Sequence, residues 1–379
     1  MLVRAGHRFG SSLPLRPRVV LATAHAARIG GNLAAIRDEI ARSHPGIEIT
    51  VIAHRTGGGL VGRVSAAIQA VRAGYQLARA RLFIVDDYFF PIYVVRPRVG
   101  TRIVQAWHAS GAFKKMGHSL AGKTFGADRS LTSRVRIHAN YDLCLVSSSS
   151  AAPHYAEAFS QPPERFVWHL GIPRTDLFFQ ADTVAAASAA IRARYRLPPD
   201  RRVILYAPTF RGDRITDARH QENLDLDVLK GELDGTHVVL VRLHPFVRAR
   251  STIGNELAGF AFDVSDHPDI HELMLVSDVL VTDYSSAIFE FSLLERPMAF
   301  FAPDLGAYEG ERGFYFDYRS GVPGPVFTET DALARWIREG PVDLERIRRF
   351  RDASFEIADG QASRRFVDEI VIPALRSGT

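Results

Sequence analysis

Two Rossmann-like domains, each an α/β doubly wound parallel sheet and together facing one cleft, are predicted by three features of the sequence. Short β-branched runs alternate with amphipathic segments along most of the chain, the mark of strand–helix–strand units. The alternation breaks once, over residues 171–182, where Pro173 and a polar turn at 174–176 intervene. At 379 residues the chain exceeds one ordinary core and suits two.

After an irregular start over 1–17, strands are expected at 18–22, 48–53, 82–86, 102–106, 142–147 and 165–169, most of them rich in Val, Ile or Leu. Helical periodicity falls at 32–42, 61–81 and 151–159. A second series places strands at 202–207, 237–243, 261–264, 278–282 and 298–302. Helices follow at 269–276, 286–294, 331–338 and 363–375. The domains are drawn at 1–176 and 177–379, the last helix packing back on the first. Ligands of open parallel sheets bind beyond the carboxyl ends of the strands. Polar residues just after strands are therefore the candidates for chemistry.

Composition narrows the class. With 46% hydrophobic and 23% charged residues, the chain is neither disordered, collagen-like nor a coiled coil. The net charge is +5, and only Lys114, Lys115, Lys123 and Lys230 among 47 basic residues are lysine. Arginine suits phosphate, but a GC-rich genome produces the same bias, and that reading is preferred. The single cysteine, Cys144, excludes an internal disulfide and sits in an apolar run, so it is read as a buried core residue. No apolar run reaches the roughly 18 residues that span a bilayer. Residues 1–17 carry Arg4 and Arg16 without the apolar core of a signal peptide. A cytoplasmic protein is expected, with any membrane contact peripheral. Residues 61–81 form a basic amphipathic pattern suited to an anionic membrane face, although ordinary surface helices look alike. No long basic stripe points to nucleic acid.

Four strand ends carry the candidate chemistry. His108 follows an apolar strand and precedes the small residues Ala109, Ser110 and Gly111, which would admit a substrate; imidazole can take a proton from an alcohol. The bland alternative is a buried histidine bonded to backbone. His244 closes a second strand before Pro245, and Arg242 would share its face if the strand runs that far. A strand also ends at Asp283, followed by Tyr284, Ser285, Ser286 and a helical pattern. Serine there is a good cap, or its hydroxyl and free backbone N–H groups hold a phosphate. Thr209 and Arg211 close another strand, and Arg312 lies beside the aromatic run 314–316, read as packing. Asp86-Asp87 and Asp225/Asp227 lack further metal ligands nearby and are read as a capped strand end and a solvated loop. Other histidines, among them His25 and His220, show no metal spacing.

Seven stretches together resemble the CDP-glycerol glycerophosphotransferase family, the primases and polymerases of teichoic-acid synthesis. They are QAWHASGAFKKMG (105–117), ILYAPTFR (204–211), VRLHP (241–245), VTDYSSAIFE (281–290), residues 296–301, GFYFDY (313–318) and DGQASRR (359–365). The resemblance spans about residues 80–370 in the family's order. It implies a GT-B-like fold and transfer of glycerol phosphate, or a related polyol phosphate, from CDP-glycerol or another CDP-polyol, with release of CMP. The acceptor would be a hydroxyl of a lipid-linked cell-wall or capsule glycan, placing the enzyme at the inner membrane face. It implicates His108 and His244 in catalysis and places Asp283, Ser285 and Ser286 in the donor site. With Thr209, Arg211, Arg242 and Arg312 these make up the expected substrate-binding set. No cofactor is built by the chain; magnesium carried on the donor diphosphate needs no protein cage. Ala109-Ser110-Gly111 departs from the family's usual residues and reshapes the acceptor pocket in this reading. The compact length matches the primases. Rival readings are a nucleotide-sugar glycosyltransferase or epimerase on the same fold, and a non-catalytic nucleotide sensor at the membrane.

Overall fold

The computed structural model describes residues 1–24, 26–54, 59–120, 135–212, 219, 224–245, 247 and 253–376. His25, Lys123 and His220 lie outside them. The chain divides into two compact units: Met1–Ser110 with Ala127–Asp176 and Phe355–Thr379, and Gly111–Gly126 with Leu177–Ser354. Two stretches lie across a cut at residue 176. Residues 111–126 belong to the second unit, because Phe113 packs among its aromatic rings. The C-terminal residues from Phe355 belong to the first, because their apolar face is buried there.

In the first unit, β1 (Arg16–Thr23), β2 (Glu48–Ala53), β3 (Ala80–Val85), β4 (Arg102–Gln105), β5 (Leu143–Leu145) and β6 (Phe166–Val167) form one parallel sheet. The order is β2-β1-β3-β4-β5-β6, so its direction of growth reverses between β1 and β3. Val19 to Ala22 and Leu82 to Val85 are fully buried, as expected of parallel strands covered on both faces.

The start over 1–17, irregular by pattern, contains helix α1 (Leu2–Ser11), followed along the chain by α2 (Gly31–Ser43), α3 (Gly59–Arg79) and α4 (Ala152–Phe159). α1 buries Val3, Gly6 and Gly10, a face almost without side chains. It lies directly on α3: a Cβ on Gly6 would stand 2.1 Å from the Val71 carbonyl oxygen, and one on Gly74 2.0 Å from that of Val3. The two backbones touch only because glycine occupies the crossing, the small-residue packing usual between membrane helices. At the C-terminus, Ala362–Phe366, Val367–Val371 and Ile372–Arg376 run on as one helical segment. It buries Phe366, Val367, Ile370 and Val371 and packs on α2, β1 and β3. The Asp176 carboxylate accepts its first N–H groups, from Ala362 (2.9 Å) and Ser363 (2.8 Å).

The second unit holds β7 (Arg202–Tyr206), β8 (His237–Val241), β9 (Ala261–Asp263), β10 (Val279–Thr282), β11 (Met298–Phe301) and β12 (Val326–Phe327), again all parallel. Their order, β12-β11-β10-β7-β8-β9, is the dinucleotide-fold order, reversing between β7 and β10. Helices α5 (Ala181–Tyr195), α6 (Leu226–Leu233), α7 (Ile270–Val276), α8 (Ala287–Ser292), α9 (Leu305–Glu311), α10 (Thr330–Glu339) and α11 (Leu344–Ser354) cover the sheet. Asp225 caps α6 by accepting the N–H groups of Asp227 and Val228, so this acidic pair serves a helix end. β8 ends at Val241, two residues early. Leu243 gives its N–H to the Ser265 hydroxyl (3.0 Å), and Pro245 has none to give.

Candidate active-site residues in each unit

In the first unit, β3 and β4 pair in the register Val85↔Gln105, so the residues that follow them leave the sheet side by side. His108, half exposed, follows β4, and Asp86-Asp87 follows β3. His108 Nδ1 lies 3.3 Å from Asp87 Oδ2 and 3.3 Å from the main-chain oxygen of Asp86. Asp87 Oδ1 accepts the N–H of Tyr88 at 2.5 Å.

The support beneath His108 is buried and polar. Gln105 donates from Nε2 to the Asp87 carbonyl (3.1 Å) and the Tyr141 hydroxyl (2.9 Å), and its Oε1 accepts the Trp107 N–H (2.9 Å). Burial pushes the Tyr141 hydroxyl well above its ordinary pKa, keeping it neutral. Asn32 donates to the carbonyls of Ala106 and Trp107 and accepts the Arg174 N–H. Trp107 has φ of 50°, the left-handed region that side chains rarely adopt. Its ring is locked among Tyr88, His138, Tyr155 and Phe159. Such strain persists where the surroundings over-determine it. Here it buries Trp107 and leaves the half-exposed His108 ring beside it, the two ring centres 4.5 Å apart.

In the second unit, the loops after β7 and β10 meet at the sheet's switch point. Thr209 donates from N and Oγ1 to Asp283 Oδ1 (2.8 and 2.9 Å). Arg211 Nη1 pairs with Asp283 Oδ2 at 2.9 Å, and its Nε and Nη2 grip Asp304 at 2.7 and 3.0 Å. The Tyr284 hydroxyl donates to Asp304 (2.8 Å), and the guanidinium lies 5.0 Å from the ring centres of Tyr284 and Tyr308. Burial opposes the Arg211 charge, but Asp304 and Asp283 outweigh it and hold its pKa above the ordinary value. Burial likewise pushes Asp304 up, and Arg211 overcomes this to keep the carboxyl below its usual range.

Thr209, Arg211 and Asp283 thus bond to one another, with two carboxylates facing one guanidinium, and they tie the β7 and β10 loops together. Ser285 and Ser286 are part-exposed beside them. Ser285 Oγ accepts the Ala287 N–H (3.2 Å), so it does the capping, while Ser286 makes no side-chain capping bond. Because α8 has six residues, its dipole is small and the hydroxyls matter more.

Arg242 and His244 do not share a strand face, since β8 stops before both. Arg242 turns inward: Nη2 donates to the His267 carbonyl (3.1 Å), while its buried Nε has no hydrogen-bond partner among the described residues. Burial lowers its pKa, opposed by Asp269. His244 is part-exposed, with its ring centre 4.8 Å from that of Phe210. Arg312 is buried, donates to the Gly212 carbonyl (2.9 Å), and lies over Phe210 and Tyr308.

Of the small residues after His108, Ala109 is part-exposed and the next two are closely packed. Ser110 is fully buried, and a Cβ on Gly111 would lie 2.3 Å from a Phe289 ring carbon. Residues 113–115 bridge antiparallel to 313–315: Tyr315 donates to the Phe113 carbonyl (3.0 Å) and Lys115 to that of Gly313 (3.1 Å). Phe113 stacks with Phe316 and Tyr318; Phe314 is buried, while Tyr315 and Phe316 are partly exposed. Cys144 is buried, which pushes its thiol up. Among the described residues no group of three or more His, Cys, Asp or Glu side chains could hold a metal ion.

The profile of the CDP-glycerol:poly(glycerophosphate) glycerophosphotransferase family matches residues 8–372. The chain belongs to this family. It is therefore a transferase of the glycerophosphotransferase type. It is 38% identical over 359 residues to the teichoic acid ribitol-phosphate primase of Bacillus spizizenii, spanning 93% of this chain and 90% of the primase. It is 39% identical over 300 residues to the teichoic acid poly(ribitol-phosphate) polymerase of the same organism, 79% of this chain but 48% of the polymerase. A variant of the wall teichoic acid polymerase TagF superposes with a TM-score of 0.78 at 25% identity, covering 96% of this chain and 90% of that one. The UDP-GlcNAc 2-epimerase of Neisseria meningitidis, at 13% identity and a TM-score of 0.56, shares the fold alone. This glycerophosphotransferase-family chain thus has the GT-B-like architecture of two parallel-sheet units.

Proposed function

We propose that the protein transfers ribitol phosphate or glycerol phosphate from a CDP-polyol to a hydroxyl of a lipid-linked, teichoic-acid-type glycan, releasing CMP. The observation that carries this is His108: a half-exposed imidazole on a rigid, buried polar support at a strand end, in a chain of this family. In this reading His108 Nε2 takes the acceptor hydroxyl's proton. The oxygen attacks the phosphorus bearing the polyol, the bond from that phosphorus to the bridging oxygen breaks, and CMP leaves with the electron pair. Such transfer depends on positioning and charge stabilisation. Ser285, Ser286 and His244 hold the donor phosphates, and Arg242 and Arg312 supply positive charge behind them. Arg242 is suited to this, being a buried cation whose Nε lacks a partner among the described residues. Thr209, Arg211 and Asp283 position these loops.

The test is CMP release by the purified protein from CDP-ribitol and CDP-glycerol, with and without lipid-linked acceptor. His108→Ala is expected to lose about 10²–10⁴-fold in rate, and Ser285→Ala/Ser286→Ala to raise the donor KM. A wild-type rate in His108→Ala refutes the assignment, and UDP release from a UDP-sugar would favour the glycosyltransferase or epimerase reading.

The same proposal places the protein at the inner membrane face. No helix of the described residues is long and apolar enough to cross a membrane. Support comes from the α1–α3 pair, which exposes Leu2, Phe9, Leu60, Val61, Val64 and Ile68. Arg4, Arg8, Arg63 and Arg72 stand exposed on the same helices. No carboxylate occurs in residues 1–37 or 49–85. Apolar residues flanked by arginine suit insertion at an anionic lipid surface. Co-sedimentation with phosphatidylglycerol vesicles is expected, and little with phosphatidylcholine; Val64→Asp/Ile68→Asp binding as wild type would overturn this.

A further inference from the structure

We infer that Asp87 is a positioning residue for the transfer, fixing His108 in the tautomer that leaves Nε2 unprotonated; this rests on His108 being the base. His108 Nδ1 faces two acceptors, Asp87 Oδ2 and the Asp86 carbonyl, each at 3.3 Å. A ring nitrogen between acceptors carries the proton, and a neutral ring then has its lone pair on the other nitrogen. The carboxylate is itself held: Oδ1 accepts the Tyr88 N–H, and Gln105 ties the Asp87 carbonyl to the end of β4. Asp87 is 16% exposed and His108 49%, so the orienting side of the pair is sheltered and the ring stays accessible. Once Nε2 has taken a proton, the same carboxylate faces an imidazolium and favours its charge. The pair sits where β3 and β4 end together, with β3 bordering the switch point of the sheet, the place where such folds bind ligands.

Two substitutions separate this role from a structural one. In Asp87→Asn the side-chain oxygen remains the partner of the Tyr88 N–H, which turns the amide NH₂ toward Nδ1 and favours the tautomer protonated on Nε2. In Asp87→Ala the Asp86 carbonyl still accepts from Nδ1, so the productive tautomer survives in part. The rate of acceptor-dependent CMP release, from whichever of CDP-ribitol and CDP-glycerol the wild type uses, should fall in the order wild type, Asp87→Ala, Asp87→Asn. Asp87→Asn should approach the loss of about 10²–10⁴-fold expected for His108→Ala, with donor KM and melting temperature unchanged. Adding Asp87→Asn to His108→Ala should cost nothing more. A purely structural carboxylate predicts the reverse order, because asparagine is the closer shape. With His108→Ala inactive, Asp87→Asn equal to or faster than Asp87→Ala overturns the inference and leaves the base assignment standing. With His108→Ala active, the base assignment itself fails.

Discussion

Replacing Gly74 by alanine sets two effects of opposite sign against each other at the α1–α3 contact. In an exposed helix interior the change would stabilise by about 1 kcal/mol, because alanine loses less backbone entropy. At Gly74 the new Cβ would lie 2.0 Å from the Val3 carbonyl oxygen and 3.0 Å from the His7 nitrogen. Ordinary contact begins at 3.4 Å, so α1 must retreat by about 1.4 Å, the difference of the two distances. The obstructing atoms are backbone, so no rotamer change relieves them. Overpacking of this kind costs about 1–3 kcal/mol; with its larger values the docking of α1 weakens by about 1–2 kcal/mol net. One or two kcal/mol corresponds to a factor of about 5–30, read as faster amide exchange of residues 2–11 by hydrogen–deuterium exchange. Gly46→Ala, where nothing lies within 4 Å, is the control and should leave that segment unchanged. Unchanged or slower exchange of α1 in Gly74→Ala would refute the close-packing argument and show that propensity governs the site.

Three further outcomes follow from the buried groups. Arg211→Met strands Asp283 and Asp304 without their cation, and urea unfolding of the second unit should show a loss of about 3–5 kcal/mol; a loss under 1 kcal/mol would mean that water reaches the pair. Asp304 has a folded pKa below its unfolded one, near 3.9. Its contribution is therefore complete above the unfolded pKa and disappears as pH falls through the lower folded one. The stability gap between wild type and Asp304→Asn should accordingly narrow from pH 6 toward pH 3, and a gap that widens contradicts the pairing. Cys144 should resist a thiol reagent at pH 8 in the native protein and react when the chain is unfolded in urea; rapid native labelling would show that its strand opens.

Strands are the most legible part of the molecule, because a strand buried on both faces is written in residues such as Val, Ile and Leu, as 203–205 and 238–241 are. α1 escaped notice because periodicity detects side chains, and its buried face consists largely of Gly6 and Gly10. The strand-end rule singles out His108, His244 and Ser286 as candidates, since sequence shows where a strand stops. It could not show what lies beside that end. Asp87 was read as a strand cap because its neighbour belongs to the next strand, and only the register Val85↔Gln105 brings the two loops together. The ion pair of Arg211 is hidden in the same way, because its partner Asp304 lies 93 residues away in sequence. The bridge between 113–115 and 313–315 lay in two blocks already singled out by resemblance, but nothing in either announces the other.

Neither unit is a single stretch of chain, and this has consequences for assembly on the ribosome. The first sheet is synthesised early, yet β1, β3 and α2 wait for residues 362–376 to cover their apolar surface. Phe113, made in the first third, waits for Phe289 and then for Phe314, Phe316 and Tyr318 to emerge. Half-built chains therefore expose sticky surface for most of translation, the condition under which chaperones matter. A premature stop at residue 355 would remove few residues and spare all twelve strands, but it would strip the oldest part of the protein of its last-made cover. Nascent-chain quality control, rather than lost chemistry, would be the first to register such a truncation.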